Sequence, residues 1–446
     1  MGSERTLLGC CASPDGKPGK TGWFHRGLRM DSDRRSRYRG SSQGVGGDRR
    51  MRVLMHVRPD WRELPGGDLV QLQRWTVWLR RLGHEVIVSD QAEPDLRNID
   101  LVHFHNLARA YALWPALEHC RRAGVPRVLT PLYWPTDEFD RIGRPGLASR
   151  IAHWLPDDWR GRLKSAARSI RAPGQRRALL REVWLGPRTL TRRFLSGFDA
   201  LIANSQAEAA ELGRLLDVLP STYLAPSGVD AFFWSSDSKL WAEERQPILQ
   251  AGKAHQSAEE LGSAEQYVDV AHKAGVLCVA RFDPQKAQHR LIEALRPMDV
   301  QLTLAGPDNP NYPAYRRYCQ QLAGPRVTIL SRRSSVELKR LYTGCKVFAL
   351  CSWYEISALS GLEAACSGAR VVMTNRGGWR EYGSELAWYA DPADLGSIRR
   401  AVEAALQAPA TPPLRERVLA SFTWEQSARA LVQAYDRALA APRQAA

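Results

Sequence analysis

Residues 347–382 constrain the fold more than any other stretch of the 446-residue chain. Residues 347–350 are a short apolar run of strand length. Residues 356–367 read as a helix closed by Gly368, a residue type that tolerates the left-handed conformation just past a helix end. Residues 371–374 are a second buried-looking strand, ended by Gly377 and Gly378. A strand, a helix and a strand in this order make a βαβ unit. Such a unit sets a helix N-terminus at the carboxyl edge of a parallel sheet, where free N–H groups and the helix dipole favour a phosphate.

Two carboxylates, Glu355 and Glu363, lie in this unit eight residues apart. On a helix that spacing is about 12 Å of rise, so one would reach a ligand from the helix mouth and the other from deeper in a cleft. Each also has a plain structural reading. Ser352 and Glu355 have the spacing of a capping box, and Glu363 could be an ordinary helix residue, although it sits next to Leu362 on a side that reads as apolar.

The rest of the chain repeats the alternation of strand and helix. Residues 51–57 form an apolar strand, followed by Gly66-Gly67-Asp68 and a helix over 69–82 whose Leu69, Leu72, Trp75, Leu79 and Leu82 share one face. Strands follow at 85–89, 101–106, 125–133 and 199–204, with Ser205 placed to cap a helix running to Leu216. A glycine pair between strand and helix lets backbone approach an anion closely. On a strand, His103 and His105 point to the same side. With no third ligand evident, a structural or substrate-contacting role is expected over a metal pair.

A second series begins at 276–280 and runs into Arg281 and Lys286, with a helix from about Gln288. Two cations five apart at a strand-to-helix turn suit a diphosphate, Arg by its fork and Lys as a point charge. Strands at 301–306, 327–330 and 347–350 continue a doubly wound sheet, and 424–440 is a last helix.

The composition is that of a soluble globular protein, with 44% apolar and 25% charged residues. No apolar run approaches the roughly 18–20 residues of a membrane span, and the start lacks the continuous apolar region of a signal peptide. Eight scattered cysteines show no metal spacing and read as reduced thiols. The net charge of +16 is localised: 1–50 holds eleven Lys/Arg against five acids, and 150–193 holds twelve against three. The nearly neutral remainder argues against a nucleic-acid binder.

Residues 1–50 read as a disordered, idle tail. Its Met1-Gly2 and Thr6 match a myristoylation pattern, Cys10-Cys11 could add a second lipid, and 31–33 carries a metal-binding Asp-x-Asp, but none is expected to function. Within 150–193, Leu163, Ala167 and Ile170 form a stripe among Arg160, Lys164, Arg168 and Arg171. This segment reads equally as a solvated insertion or as an interfacial helix on anionic lipid. Residues 233–274 are polar and read as an exposed insertion.

The run from Glu355 to Glu363 resembles the signature of glycosyltransferase family 4, retaining enzymes of GT-B fold. In that family a Glu, seven residues and a second Glu bind a nucleotide-sugar donor. The resemblance spans about 51–232 and 275–445. It implies two Rossmann-like doubly wound domains facing a central cleft: 51–232 on the acceptor side, completed by the C-terminal helix in 423–446, and 275–422 on the donor side. Glu355 would hold hydroxyls of the transferred sugar, with Ile356, Ser357, Ala358 and Leu359 lining the donor, and Glu363 would bind the ribose. The family commonly has Gly-Phe-Gly where Ile356-Ser357-Ala358 stands, so Ala358 would narrow the approach of backbone to donor.

By the same resemblance Arg281 and Lys286 hold the diphosphate and stabilise the departing nucleotide without a metal or other cofactor. Gly67 approaches the donor and reacting centre, and Gly66, His103, His105 and Tyr133 line the acceptor side. Many members carry a His near Tyr133 that is missing here. The Pro-Leu-Tyr-Trp run at 131–134 and the Gly-Gly-Asp-x-Val-Gln run at 66–71 resemble bacterial surface-polysaccharide enzymes. The implied activity is retaining transfer of a hexose-type sugar to a glycan or lipid-linked acceptor, in the cytoplasm or peripherally on the inner membrane face. A nucleotide-sugar-binding protein without transferase activity, releasing no nucleoside diphosphate on acceptor addition, and an epimerase that needs no acceptor are the alternatives.

Overall fold

The computed structural model describes residues 49–59, 61, 66–107, 110–144, 159, 161–163, 165–166, 176–235, 275–409 and 412–441. The lipidation and Asp-x-Asp patterns of the tail, the residues Arg160, Lys164, Ala167, Arg168, Ile170 and Arg171, and 236–274 of the insertion lie outside them.

The first series of elements is β1 (Arg52–His56), α1 (Gly67–Arg81), β2 (Glu85–Ser89), β3 (Leu101–His105), α2 (Ala110–Arg122), β4 (Arg127–Thr130), α3 (Arg176–Leu185), α4 (Pro187–Leu195), β5 (Ala200–Ala203), α5 (Gln206–Leu215) and β6 (Ser221–Leu224). The second is β7 (Gly275–Val279), α6 (Gln288–Leu295), β8 (Gln301–Ala305), α7 (Tyr315–Leu322), β9 (Val327–Leu330), α8 (Ser335–Gly344), β10 (Val347–Leu350), α9 (Leu359–Cys366), β11 (Arg370–Thr374), α10 (Trp379–Gly383), β12 (Trp388–Ala390), α11 (Leu395–Gln407), α12 (Pro412–Ser421) and α13 (Trp424–Ala440).

Both sheets are parallel and six-stranded, in the orders β2-β1-β3-β4-β5-β6 and β12-β11-β10-β7-β8-β9. Their central strands are buried along their length, as in β3, β5 and β10, which is what helices on both faces of a parallel sheet impose. Each order reverses once. In the first sheet the chain leaves β1 for β2 and returns beyond β1 to β3. In the second it leaves β7 for β8 and β9 and returns beside β7 at β10. Such reversals open a crevice at the carboxyl ends of the two strands concerned.

The last helix returns to the first sheet. Its N-terminus is a capping box between Thr423 and Gln426, and its Trp424, Leu431, Ala434 and Tyr435 join the core of β1 and α1. Trp75 of α1, fully buried, donates from its indole nitrogen to Ser427 Oγ at 2.7 Å. Truncating a buried residue of this size costs about 3–5 kcal/mol. In the opposite sense, Phe232 and Phe233, read from sequence as the end of the first domain and the start of the linker, are buried in the core of the second sheet. The chain thus crosses twice between the sheets, and Val229 and Thr423 form a parallel bridge where the two crossings meet. Among the described residues no helix is long and apolar enough to cross a membrane.

Candidate active site

Lys286 and Glu355 leave β7 and β10, the two strands at which the second sheet reverses, and their side chains touch. Lys286 Nζ lies 2.7 Å from Glu355 Oε1, with the carboxylate 6% and the ammonium 23% exposed. Their loops are stapled by the residue preceding Lys286. Gln285 Nε2 donates to Tyr354 O at 2.5 Å, and Gln285 O accepts from Trp353 N at 2.9 Å. Arg281 begins the same turn, its guanidinium 3.6 Å from Asp283 and its buried Nε without a hydrogen bond. Asp283 in turn caps the turn through Gln285 N and accepts from Asn309 Nδ2. The spacing of Arg281 and Lys286 therefore reports a real turn with cations at a sheet edge.

The helix after Glu355 differs from the sequence expectation. It starts at Leu359, not at Ile356, so Ile356, Ser357 and Ala358 form an entry loop. Two constraints shorten it. Ala358 is held at φ 44°, ψ 72°, a left-handed conformation that a helix cannot include. Glu355 is bracketed by backbone: its N–H donates to Arg376 O at 3.1 Å and its carbonyl accepts from Gly378 N at 2.9 Å. There is no capping box at Ser352, and the 12 Å helical spacing does not apply, since only Glu363 lies on α9. Ala358 occupies a conformation glycine favours; what it adds is backbone strain as well as the methyl group.

Glu363 accepts a hydrogen bond from Tyr342 Oη at 2.8 Å through Oε2. Burial pushes its carboxyl up to about 7, with Asp230 adding to the rise and Tyr342 and Arg74 opposing it. Glu363 is therefore not a solvated helix residue.

On the first sheet the reversal lies between β1 and β3. Gly66 precedes α1 with extended backbone and no side-chain cap. Gly67 faces the other half of the cleft, and a Cβ there would lie 3.9 Å from Leu359 Cδ1 at the mouth of α9. Beside it Asp68 accepts from Asn106 Nδ2 at 2.7 Å and lies 3.5 Å from Arg58. The two reversal points, one per sheet, thus face each other through Gly67 and Leu359.

The histidines sit deeper. His103 is fully buried, with Nδ1 2.7 Å from Tyr435 Oη and Nε2 2.8 Å from Thr130 Oγ1. Both ring nitrogens are engaged within the protein, which corrects its placement on the acceptor side: it joins α13 to the sheet. His105, 3% exposed, is 3.3 Å from Gln71 Oε1. Burial holds His103 well below the ordinary imidazole range and His105 at about 4, so both are neutral. Tyr133 follows Leu132, whose φ is 51°, and its N–H donates to the buried Glu208 at 2.8 Å. No cluster of three or more His, Cys, Asp or Glu placed to hold a metal occurs among the described residues.

Backbone strain marks the same place. Six described non-glycine residues have positive φ, and four of them, Asn106, Leu132, Ala287 and Ala358, follow β3, β4, β7 and β10 at the carboxyl edges. Left-handed backbone costs of order 1–2 kcal/mol and concentrates at functional sites. By contrast, a cavity of about 490 Å³ lined by Trp114, Arg127, Arg193 and Asp199 lies at the amino ends of β4 and β5. Its Arg127 is already paired with Asp199, and parallel sheets bind ligands at the other edge.

Sequence reasoning missed Arg376, Glu138 and Gln285. Arg376 stands directly before Gly377 and Gly378, and Gln285 directly before Lys286, so adjacency was the available signal.

Two doubly wound sheets with facing reversal points define the GT-B architecture, and the protein is a glycosyltransferase. Residues 266–419 match the family model described as glycosyl transferases group 1. The sucrose-phosphate synthase of Thermosynechococcus elongatus superposes with a TM-score of 0.61 at 16% identity, over 86% of this chain and 98% of that one. HepE of Anabaena, in complex with UDP and glucose, gives 0.57 at 17% identity over 87% and 100%. A UDP-forming α,α-trehalose-phosphate synthase of Burkholderia xenovorans gives 0.50 at 13% over 87% and 98%. No curated protein matches the chain.

Proposed function

We propose that the protein transfers a hexose from a UDP-sugar to a glycan or lipid-linked acceptor with retention of configuration, in cell-surface polysaccharide synthesis. The observation that carries the reading is the contact between Lys286 and Glu355 at the reversal of the second sheet, opposite Gly67. A pyrophosphate-linked sugar presents an anion and a set of hydroxyls side by side, and this pair answers both. Arg281, Lys286 and the N–H groups opening α9 receive the diphosphate, Glu355 the sugar hydroxyls and Glu363 the ribose. The protein cations, rather than a metal, neutralise the leaving group in this reading. UDP is the base proposed because HepE holds UDP and the trehalose-phosphate synthase is UDP-forming.

In the reaction the anomeric C–O bond to the diphosphate breaks as the acceptor oxygen bonds to the same face. The acceptor proton passes to the departing phosphate oxygen. Positioning and charge neutralisation supply the rate enhancement. A thermal-shift screen with UDP-, GDP- and ADP-glucose tests the donor, with UDP-glucose expected to give the largest rise. No shift with any of them overturns the reading, and conversion of the donor without acceptor favours an epimerase.

Glu363 sets a pH dependence. Its carboxyl is raised to about 7, so it is mostly protonated at pH 6 and mostly ionised at pH 8. A carboxylate is the better acceptor for ribose hydroxyls, so UDP affinity should rise with pH through 7. The gain is bounded at about tenfold, the ratio of ionised fractions at the two pH values. Calorimetry with UDP at pH 6 and 8 checks this, and Glu363→Gln should flatten the profile.

The basic segment supports a lipid-facing role for the first domain. Trp159 is 61% and Trp184 79% exposed, with Leu163 and Leu180 also exposed. Arg162 Nη1 donates to Val183 O and Trp184 O, each at 2.8 Å, joining the two exposed apolar stretches. Aromatic side chains amid basic residues suit an anionic lipid surface. Flotation with phosphatidylglycerol vesicles should recover the protein and Trp159→Ser/Trp184→Ser should reduce recovery; equal recovery on neutral vesicles argues against the docking.

A further inference from the structure

Glu355 takes its position from backbone as well as from its side-chain pair with Lys286. Arg376 O holds its N–H, and Gly378 N–H holds its carbonyl. Residue 376 is therefore one hydrogen bond from the backbone of the residue whose carboxylate is proposed to read the sugar. Its guanidinium is fastened in two directions: to Asp391 of the second domain at 2.5 Å and to Glu138 of the first at 2.6 Å. It also lies over the Trp353 ring, 5.8 Å from its centroid.

Glu138 belongs to a short segment, 137–144, that reaches from the first domain onto the loops of the second. Phe139 packs on Trp353 with ring centroids 6.3 Å apart. Gly143 lies so close that a Cβ there would come within 2.5 Å of the Trp353 ring. Arg144 pairs with Asp140 at 2.6 Å and donates to Tyr312 Oη. The five-residue turn Phe139–Gly143 is a π-helix, a rare form that is frequent at functional positions.

We propose that Arg376 is a positioning residue for Glu355, and that its bond to Glu138 is the contact through which the first domain sets the sugar-binding end of the donor site. The inference rests on the donor reading given above. It adds a residue pair and a direction of control: Glu138 acts through Arg376 on Glu355, while Gln285 ties the Lys286 turn to Trp353 and Tyr354.

That division makes the test selective. UDP engages the diphosphate and ribose residues, whereas UDP-glucose engages Glu355 as well. Calorimetry with both ligands is carried out on the full chain and on Glu138→Gln, which removes a half-exposed charge and keeps the size of the side chain. The variant should bind UDP within twofold of the parent and UDP-glucose about tenfold more weakly, the scale of a small misplacement of one reading group, with unchanged Tm. Equal losses for both ligands would mean a general domain contact, and no loss would mean an idle surface pair; either overturns the inference while leaving the donor reading in place. Failure of the parent to bind either ligand overturns the donor reading itself.

Discussion

Replacing Lys286 with alanine is expected to lower kcat/KM for donor turnover by two to three orders of magnitude. Two effects act together. The diphosphate loses a point charge at the moment its own charge grows, and a single such stabilising group is worth about 10²–10³ in rate. Glu355 also loses its partner at 2.7 Å, so the carboxylate meant for the sugar is freed to turn elsewhere. Breaking a buried pair by removing one member costs up to about 3–5 kcal/mol, but the 23% exposure of Lys286 lets water reach the remaining carboxylate. The fold should therefore survive with a lowered Tm. Steady-state turnover of UDP-glucose beside a thermal melt checks both parts. Near-parental turnover would remove Lys286 from the site, and Glu355→Gln, which discharges the other partner, should weaken UDP-glucose binding while leaving UDP binding nearly intact.

The parts of this arrangement legible in sequence are those that depend on near neighbours. The strands read at 327–330 and 347–350 are β9 and β10 at their observed bounds, and the last helix read at 424–440 is α13. The alternation of strand and helix foretold two doubly wound sheets. His103 and His105 do share a side, with ring centroids 6.3 Å apart. The partner that makes His103 a core residue is Tyr435, at a sequence separation of 332 residues, and no local pattern announces it.

Local pattern failed where tertiary contact overrides it. Residues 356–358 have nothing against a helix in their composition, yet Glu355 is held by the 376–378 turn and Ala358 is left-handed. The helix cannot begin until both are passed. The pair between Glu138 and Arg376 spans 238 residues and exists only because two separately wound domains meet. Contacts that join residues across domains are the ones a single-sequence reading loses, whereas a single turn, such as the one carrying Arg281 and Lys286, is legible from its neighbours.

Gly377→Ala should abolish turnover, and the reason is separable from ordinary glycine strain. Gly377 has φ +108°, and a Cβ there would stand 1.8 Å from Glu355 O. The turn would have to move away, breaking the bonds from Glu355 N–H to Arg376 O and from Gly378 N–H to Glu355 O. Glu355 would then be unheld from both sides. Gly368 provides the comparison, with φ +89° and no atom within 4 Å of a Cβ. Gly368→Ala carries only the left-handed penalty, about 1–2 kcal/mol, at the far end of α9. Both variants should lose stability in urea unfolding, Gly377→Ala by more, because overlap adds to strain. Only Gly377→Ala should lose UDP-glucose binding and more than about 10²-fold in kcat/KM. Parallel behaviour of the two variants would mean that the 376–378 turn matters for folding alone, and that Glu355 finds its place without it.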